Sequence, residues 1–389
     1  MAVISYKFRI YPTREQEETL NRMLTLCRRL YNAALNQRIQ AYHLGYPTWL
    51  RKQRAELPAL KSELKEYSKT YCHVLQLTLL RLDRAYASFF RRIAERKKGK
   101  KIKAGFPRFK SERRFRSLQY SNQGYKVLSS GHLQLTKIGT IRMFKHREIK
   151  GQIKTLVIKK DGVGDWYAIL TVQLPDVPQR EIKTRMSADA GLIDLLTTNE
   201  NEKIKPKKFY RESESQLKIL NRRVSRKVKG SNNRKKAIRR LAKVHRKVER
   251  QRDDFLHKVS RTLANKADLI AFEKLNIQNM LKNHRLAKSI SDASWGKLMR
   301  YTNYKAANAG GVVVYVDPRG TSQICSRCGA LTRISLSERS HACTGCGFTL
   351  DRDWNAALNI LQRVGTDSSE PIQTPVEISP LPLPSGGGK

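Results

Sequence analysis

Acidic residues are scarce in this chain relative to basic ones. Its 389 residues include 33 Asp and Glu against 78 Lys and Arg, which gives a formal net charge of +45. A surplus of that size exceeds what solubility requires and would cost a free folded protein electrostatic self-repulsion. Because the basic residues are spread over several segments, the expected partner is a nucleic acid that covers a long surface. From charge alone, a ribosomal-type binder or a membrane-surface protein is the alternative.

Long apolar runs are also missing. No stretch approaches the uninterrupted apolar length that would span a membrane. The opening residues, 1–7, lack the apolar core of a signal peptide. We therefore expect a soluble protein of two to four domains, with no membrane partner, in an intracellular and reducing setting.

Cysteine is used sparingly, and four of the six cysteines form two Cys-x-x-Cys pairs. The four are Cys325, Cys328, Cys343 and Cys346, with 14 residues between the pairs. This spacing is typical of a zinc ribbon, in which two tight turns close one tetrahedron of thiolates. A pair of disulfides is the alternative, and a reducing setting disfavours it. Cys27 and Cys72 fall in helical apolar patterns and are expected to be small core residues.

The first half of the chain predicts a helical segment between strands. Residues 3–11 alternate as a strand does, and Pro12 ends the pattern before Thr13 and Gln16, which predict a capping box. Residues 11–103 then read as a basic, helical lobe. Between residues 125 and 174, short alternating segments predict a small β-barrel or sandwich, which the opening strand could join.

A strongly basic segment spans the end of the helical lobe and the residues after it. Residues 91–116 hold 13 basic and two acidic residues, interleaved with Phe106, Phe109 and Phe115. Aromatic rings among cations suit base stacking beside phosphate contacts. The alternative is a solvated linker whose phenylalanines anchor it to the core.

The second half alternates strands with helices. Its elements are strand-like segments at 186–191, 195–198, 269–272 and 312–316, a basic helical hairpin of roughly 211–229 and 234–265, and a helix around 295–308. This order predicts an α/β domain, which the cysteine segment interrupts before the last helix.

Three carboxylates stand at the ends of these elements. Asp189 ends the first strand, Glu273 follows residues 269–272, and Asp353 leads into the final helix. Strand ends are where α/β sheets place their sites, and carboxylate oxygens favour Mg²⁺ or Mn²⁺. Each residue also has a purely structural interpretation: a turn cap at Asp189, a solvated side chain at Glu273, and a helix N-cap at Asp351 or Asp353.

Together these motifs resemble a known family. They are Tyr6-Lys7-Phe8-Arg9-Ile10-Tyr11-Pro12, Asp189-x-Gly191, Phe272-Glu273-Lys274-Leu275-Asn276, the two cysteine pairs and Asp351-Arg352-Asp353-x-Asn355-Ala356-Ala357. The chain resembles the TnpB proteins, which are transposon-encoded, RNA-guided DNA endonucleases related to the compact type V CRISPR effectors. The likeness runs over roughly residues 3–363.

The resemblance implies a multidomain protein of α/β and β parts. Its RuvC-like nuclease domain has the RNase H fold and carries an inserted zinc ribbon, beside a small wedge-like β-barrel and a helical recognition lobe. The implied ranges are 1–10 and 104–180 for the barrel, 11–103 for the helical lobe, 181–320 and 351–365 for the nuclease domain, and 321–350 for the ribbon. The proline-rich residues 366–389 read as a disordered tail.

The resemblance also implies which residues act. Asp189, Glu273 and Asp353 correspond to the catalytic acids and to the ligands of Mg²⁺ or Mn²⁺, the four cysteines bind structural Zn²⁺, and Asp351 becomes a cap. The chain departs from the family in having Ser187-Ala188 before Asp189, where Gly-Ile is usual. Arg333 and Arg339 are interpreted as general backbone contacts and not as catalytic residues.

The implied function is RNA-guided, metal-dependent DNA cleavage by two-metal hydrolysis beside a short motif read by the protein. The implied partners are a guide RNA from the transposon end and double-stranded target DNA, with one protein copy per RNA, in the cytoplasm of a prokaryote and on its nucleoid. The alternatives are a guide-dependent DNA-binding regulator or transposition accessory that does not cut, and a transposase that joins DNA ends.

Overall fold

A computed structural model of the chain describes residues 3–335 and 337–364, and the predicted tail 366–389 lies outside them. The chain divides into two compact units. The first unit consists of the chain up to Asp176 together with the short segment Ile238–Ala242. The second unit consists of Val177–Ala237 and the chain from Lys243 onward. No helix among the described residues is both long enough and apolar enough to cross a bilayer.

The first unit contains a seven-stranded antiparallel sheet. Its strands are β1 (Val3–Tyr11), β2 (Ser117–Tyr120), β3 (Tyr125–Val127), β4 (His132–Leu135), β5 (Gly139–Phe144), β6 (Gln152–Lys160) and β7 (Trp166–Gln173). The strand order is β2-β6-β7-β1-β5-β4-β3, so the opening strand joins the sheet as predicted. The edge strands β2 and β3 are joined by only four residues, 121–124, so the sheet curls until it is nearly closed.

Five helices lie between β1 and β2 in the chain. They are α1 (Arg14–His43), α2 (Leu50–Ala55), α3 (Leu57–Glu63), α4 (Lys65–Ser68) and α5 (Cys72–Lys97). The predicted capping box is confirmed, because the Thr13 side chain accepts from the Gln16 backbone and the Gln16 side chain accepts from the Thr13 backbone. Cys27 is fully buried, as predicted. The prediction for Cys72 is wrong in degree, since this residue is only partly buried at the first position of α5.

The second unit is built on a five-stranded sheet. Its strands are β8 (Arg185–Asp189), β9 (Leu196–Thr198), β10 (Lys203–Ile204), β11 (Leu269–Glu273) and β12 (Val312–Val316). In the order β10-β9-β8-β11-β12, the neighbours β8, β11 and β12 run parallel. All five residues of β11 are buried, which is typical of a central parallel strand covered on both faces.

Six helices accompany this sheet. They are α6 (Phe209–Ser225), α7 (Asn232–Lys266), α8 (Ile277–Met280), α9 (Ala287–Ala293), α10 (Trp295–Asn308) and α11 (Arg352–Gln362). The predicted hairpin is confirmed, although α6 ends four residues before the expected 229. Ile360 of α11 packs with Leu269 and Val314, which fixes the last helix against the parallel strands.

A small hairpin lies between β12 and α11. Its strands, β13 (Ser340–Ala342) and β14 (Thr349–Asp351), pair antiparallel and belong to the cysteine segment. The sequence prediction that this segment interrupts the α/β order before the final helix is therefore confirmed. Because β14 runs directly into α11, the hairpin sets where that helix begins.

Candidate functional site

The parallel pairing of β8 and β11 carries two acidic residues to the same edge of the sheet. Phe272 pairs with Ala188, so Glu273 and Asp189 each end their strand one residue later. Glu273 is only 8% exposed, which rules out its interpretation as an ordinary solvated side chain. Its Oε1 accepts a hydrogen bond from the Thr321 hydroxyl.

The third acidic residue, Asp353, lies in the first turn of α11. The N-cap of this helix is Asp351, whose Oδ1 accepts from the backbone nitrogens of Asp353 at 2.9 Å and Trp354 at 3.1 Å. The other Asp351 oxygen pairs with Lys203 Nζ at 2.6 Å. Asp351 is thus the cap, as the resemblance implied, and the side chain of Asp353 is left free of that role.

Asp189, Glu273 and Asp353 interact through their charges. Burial is the first cause that raises the pKa of Asp189 well above its ordinary value, and the nearby charges of Glu273 and Asp353 raise it further. Burial also raises the pKa of Glu273, against the lowering effect of the Thr321 hydrogen bond. The site therefore brings three carboxylates together, and burial disfavours the charged forms of Asp189 and Glu273. A bound cation would stabilise these charged forms and lower the two pKa values.

Gly191 leaves room for this arrangement. A Cβ at this position would lie 2.8 Å from the Asp194 carbonyl oxygen and 3.8 Å from Asp353 Oδ2. The first distance is too short for any side chain, so the turn after Asp189 requires glycine. The glycine of the Asp-x-Gly motif is therefore required for steric reasons, at a turn that lies next to Asp353.

Two polar neighbours of the carboxylates were missed by sequence reasoning. Thr321 binds Glu273 from 48 positions away, and no local pattern signals that contact. Arg352 donates to Asp353 Oδ1 from NH2 at 3.1 Å and from Nε at 3.3 Å. Its position in the sequence between Asp351 and Asp353 could have predicted that it contacts a carboxylate.

Arg333 and Arg339 were interpreted from the sequence as general backbone contacts, and the structure records a carboxylate contact for Arg339. Arg339 NH1 lies 3.8 Å from Asp353 Oδ2, with its side chain about half exposed. Arg333 is exposed. Arg339 therefore lies beside one of the three carboxylates.

The four cysteines converge in the ribbon. Their sulfur atoms all lie within 4.8 Å of one another, with Cys325 and Cys346 3.8 Å apart and Cys328 and Cys343 3.5 Å apart. Four thiolates about 2.3 Å from a tetrahedral Zn²⁺ would be separated by about 3.8 Å. The cluster has the ligand number and spacing of a structural zinc site.

The carboxylates are arranged more loosely than the cysteines. Within residues 3–335 and 337–364, the cysteine cluster is the only group of three or more His, Cys, Asp or Glu side chains gathered closely enough to hold one ion. The carboxylates of Asp189, Glu273 and Asp353 are thus too far apart to be ligands of one ion in this geometry.

Amide side chains of α11 fix the ribbon to the site. Asn355 accepts from the Ser326 backbone at 2.9 Å and donates to the Ile324 carbonyl at 2.8 Å, and Asn359 donates to the Thr321 carbonyl at 2.8 Å. Both asparagines are buried. The start of the cysteine segment and the helix that carries Asp353 are therefore held together.

The unusual Ser187 before the first acid has a partner on the same helix. Its hydroxyl donates to the Ala357 carbonyl at 2.5 Å, and Ser187 is fully buried. The departure from the usual glycine therefore adds a contact between β8 and α11. It leaves Asp189 at the end of its strand.

Three family models match the chain. Residues 169–284 match a model described as "Probable transposase", residues 295–360 match the TNB domain of Cas12f1-like proteins, and residues 1–45 match a helix-turn-helix domain. The second match covers the cysteine cluster and Asp353.

Relatives in two bacteria match nearly the whole chain. A Streptomyces pristinaespiralis protein named "Putative RNA-guided DNA endonuclease" is 34% identical over 369 residues, covering 92% of this chain and 88% of the relative. The InsQ protein of Escherichia coli K12, which bears the same description, is 30% identical over 385 residues, covering 92% and 91%.

A solved structure shares the fold. The mini-RNA-guided endonuclease CRISPR-Cas_phi3 aligns with a TM-score of 0.52 at 11% identity, covering 93% of this chain and 92% of that one. At this identity the likeness shows the fold alone.

Proposed function

Since the chain belongs to the TnpB family, we propose that it is a transposon-encoded, RNA-guided DNA endonuclease that cuts double-stranded DNA beside a short motif read by the protein itself. The names of its full-length relatives support the activity. The observation that assigns the activity to particular residues is electrostatic. At one edge of a parallel sheet, burial and the charges of Glu273 and Asp353 raise the pKa of Asp189.

In this proposal the three acids form the nuclease site and bind Mg²⁺ or Mn²⁺. Two such ions would activate a water molecule and stabilise the leaving oxygen of the phosphodiester. Asp189 supplies the first carboxylate, the Thr321 hydroxyl orients Glu273, and the Asp351 cap fixes the helix turn that carries Asp353. Zn²⁺ in the cysteine cluster has a structural role.

The remaining regions would serve the nucleic acids. We assign residues 1–10 and 104–180 to a wedge-like barrel and 11–103 to a recognition lobe, which together contact the guide RNA and read the DNA motif. The RuvC-like domain spans 181–320 and 351–365, with the ribbon at 321–350 between its parts. The guide comes from the transposon end, one protein copy binds each RNA, and the complex acts on the prokaryotic nucleoid.

The decisive experiment concerns the RNA. The protein is purified with its co-expressed transposon RNA, the bound RNA is sequenced, and its terminal segment is then changed. We expect cleavage to move to DNA that matches the new segment. Absence of bound RNA, or cleavage that ignores the change, would overturn the proposal.

A variant tests the site. Asp189→Ala should abolish cleavage while RNA-dependent target binding, measured by gel shift, stays near wild type, because only metal ligation is lost. Asp254→Ala is the matched control, since Asp254 is an exposed carboxylate whose partner is Lys258. Cleavage retained by Asp189→Ala would refute the assignment, whereas wild type that binds but never cuts would favour a DNA-binding regulator.

A further inference from the structure

The guanidinium of Arg352 occupies one oxygen of Asp353. Nε and NH2 both donate to Oδ1, at 3.3 and 3.1 Å. Each of the two side chains is only 14% exposed, so water screens the pair weakly. Oδ2 has a more distant cation, Arg339, at 3.8 Å.

The same guanidinium also contacts the ribbon. Its NH1 donates to the Glu338 carbonyl at 3.0 Å and lies 3.5 Å from the Ser335 carbonyl. The Arg352 backbone nitrogen donates to the Arg339 carbonyl at 2.8 Å. Arg352 therefore connects Asp353 to the ribbon backbone, through its side chain at Ser335 and Glu338 and through its own backbone at Arg339.

A metal ion that binds Oδ1 of Asp353 would need the oxygen that Arg352 now holds. An arginine stays charged at any ordinary pH, so it cannot yield by losing its proton. A divalent cation and a guanidinium on one oxygen would repel each other strongly in a site with little water. Binding of the ion at Oδ1 therefore requires Arg352 to turn away from that oxygen, and an ion at Oδ2 would still be repelled by the nearby guanidinium.

We propose that Arg352 is a displaceable counter-ion that competes with the divalent metal for Asp353 and couples metal binding to the ribbon. This inference rests on the proposed function in one respect, the role of Asp353 as a metal ligand. In the metal-free protein Arg352 neutralises the carboxylate. Metal binding releases the guanidinium, which stays beside the Ser335 and Glu338 carbonyls and presents a planar fork suited to phosphate.

The test measures metal affinity directly. Mn²⁺ is titrated into the full-length, zinc-loaded protein, and free Mn²⁺ is followed by electron paramagnetic resonance. Because Arg352→Ala removes the competitor, Mn²⁺ should bind about tenfold more tightly than to wild type. Arg339→Ala, which removes a more distant and more exposed cation, should change the affinity much less.

Two further variants keep the outcomes separate. Arg352→Lys retains a charge without the fork and should fall between wild type and Arg352→Ala; it also serves if the alanine variant does not fold. Unchanged or weaker Mn²⁺ binding by folded Arg352 variants would overturn the inference. Asp353→Asn should weaken Mn²⁺ binding, and if it does not, the metal-ligand assignment itself fails.

Discussion

Asp189 ends a buried strand beside two other carboxylates, and its environment opposes ionisation. Burial and the charges of Glu273 and Asp353 raise its pKa in the folded protein above the ordinary 3.8. A folded protein that holds this proton more tightly than the unfolded chain is stabilised at low pH. That stability is lost as the pH rises from 3.8 through the folded pKa.

Asp189→Asn should therefore be more stable than wild type at neutral pH in buffer without added divalent ions. The difference in the free energy of unfolding should shrink as the pH is lowered toward about 4, because Asp189 of the folded protein then becomes protonated and the cost of its buried charge disappears. Added Mg²⁺ should stabilise wild type more than the variant. Denaturant unfolding between about pH 4 and pH 8 measures all three effects. A difference that grows on acidification would mean that burial and neighbouring charge do not raise the pKa of Asp189.

The sequence was sufficient to single out the three acids but not their partners. Asp189, Glu273 and Asp353 stand at the ends of elements that periodicity and family motifs indicate. Thr321 and Ser187 lie in ordinary surroundings in the sequence, and their bonds to Glu273 and Ala357 arise only when distant segments pack. Side-chain hydrogen bonds between distant positions are set by tertiary geometry, which local patterns do not encode.

At the level of elements, helix α11 joins the ribbon to the acidic site. Its N-cap Asp351 ends strand β14, and its amides hold the chain where the cysteine segment begins. The sequence predicted the zinc pattern and its insertion before the last helix. It also predicted a small β-barrel or sandwich in the first half, and the nearly closed sheet of the first unit fits the barrel. It did not predict the strand order, because pairing between distant strands is not encoded in the pattern within either strand.

Loss of one cysteine ligand should affect this connection. We expect Cys343→Ser to lower the zinc content and to reduce cleavage, because the ribbon that precedes Asp353 loses its metal support. Elemental analysis and a plasmid cleavage assay measure the two effects. Cys72→Ser is the matched control, since Cys72 lies outside the cluster and should leave zinc content unchanged. Full cleavage by a zinc-free Cys343→Ser protein would refute the coupling.

At the scale of the whole molecule, the charge of +45 governs association with nucleic acid. Neutralised phosphates release counterions, so the affinity for RNA should fall steeply with salt. If about six to ten phosphates are contacted, the affinity should drop by about 10³-fold or more between about 50 and 200 mM salt.

Filter binding over this salt range, with the guide RNA as ligand, measures the slope. Asp189→Ala should show the same slope as wild type, because it removes no cation. A nearly flat dependence would mean that the basic surplus is not used for phosphate contacts.

The position of β1 in the first unit has a consequence for synthesis. Strand β1 is made before the rest of its sheet and pairs with β7, the last strand of that sheet to be made, from Val3 with Gln173 to Ile10 with Trp166. Helices α1 to α5 are completed between these events. Strand β1 therefore stays unpaired with β7 while the basic helical segment is made. The sheet can close only when translation has passed residue 173. Contacts this distant in sequence slow folding, so within the first unit the helices should form first and the sheet last.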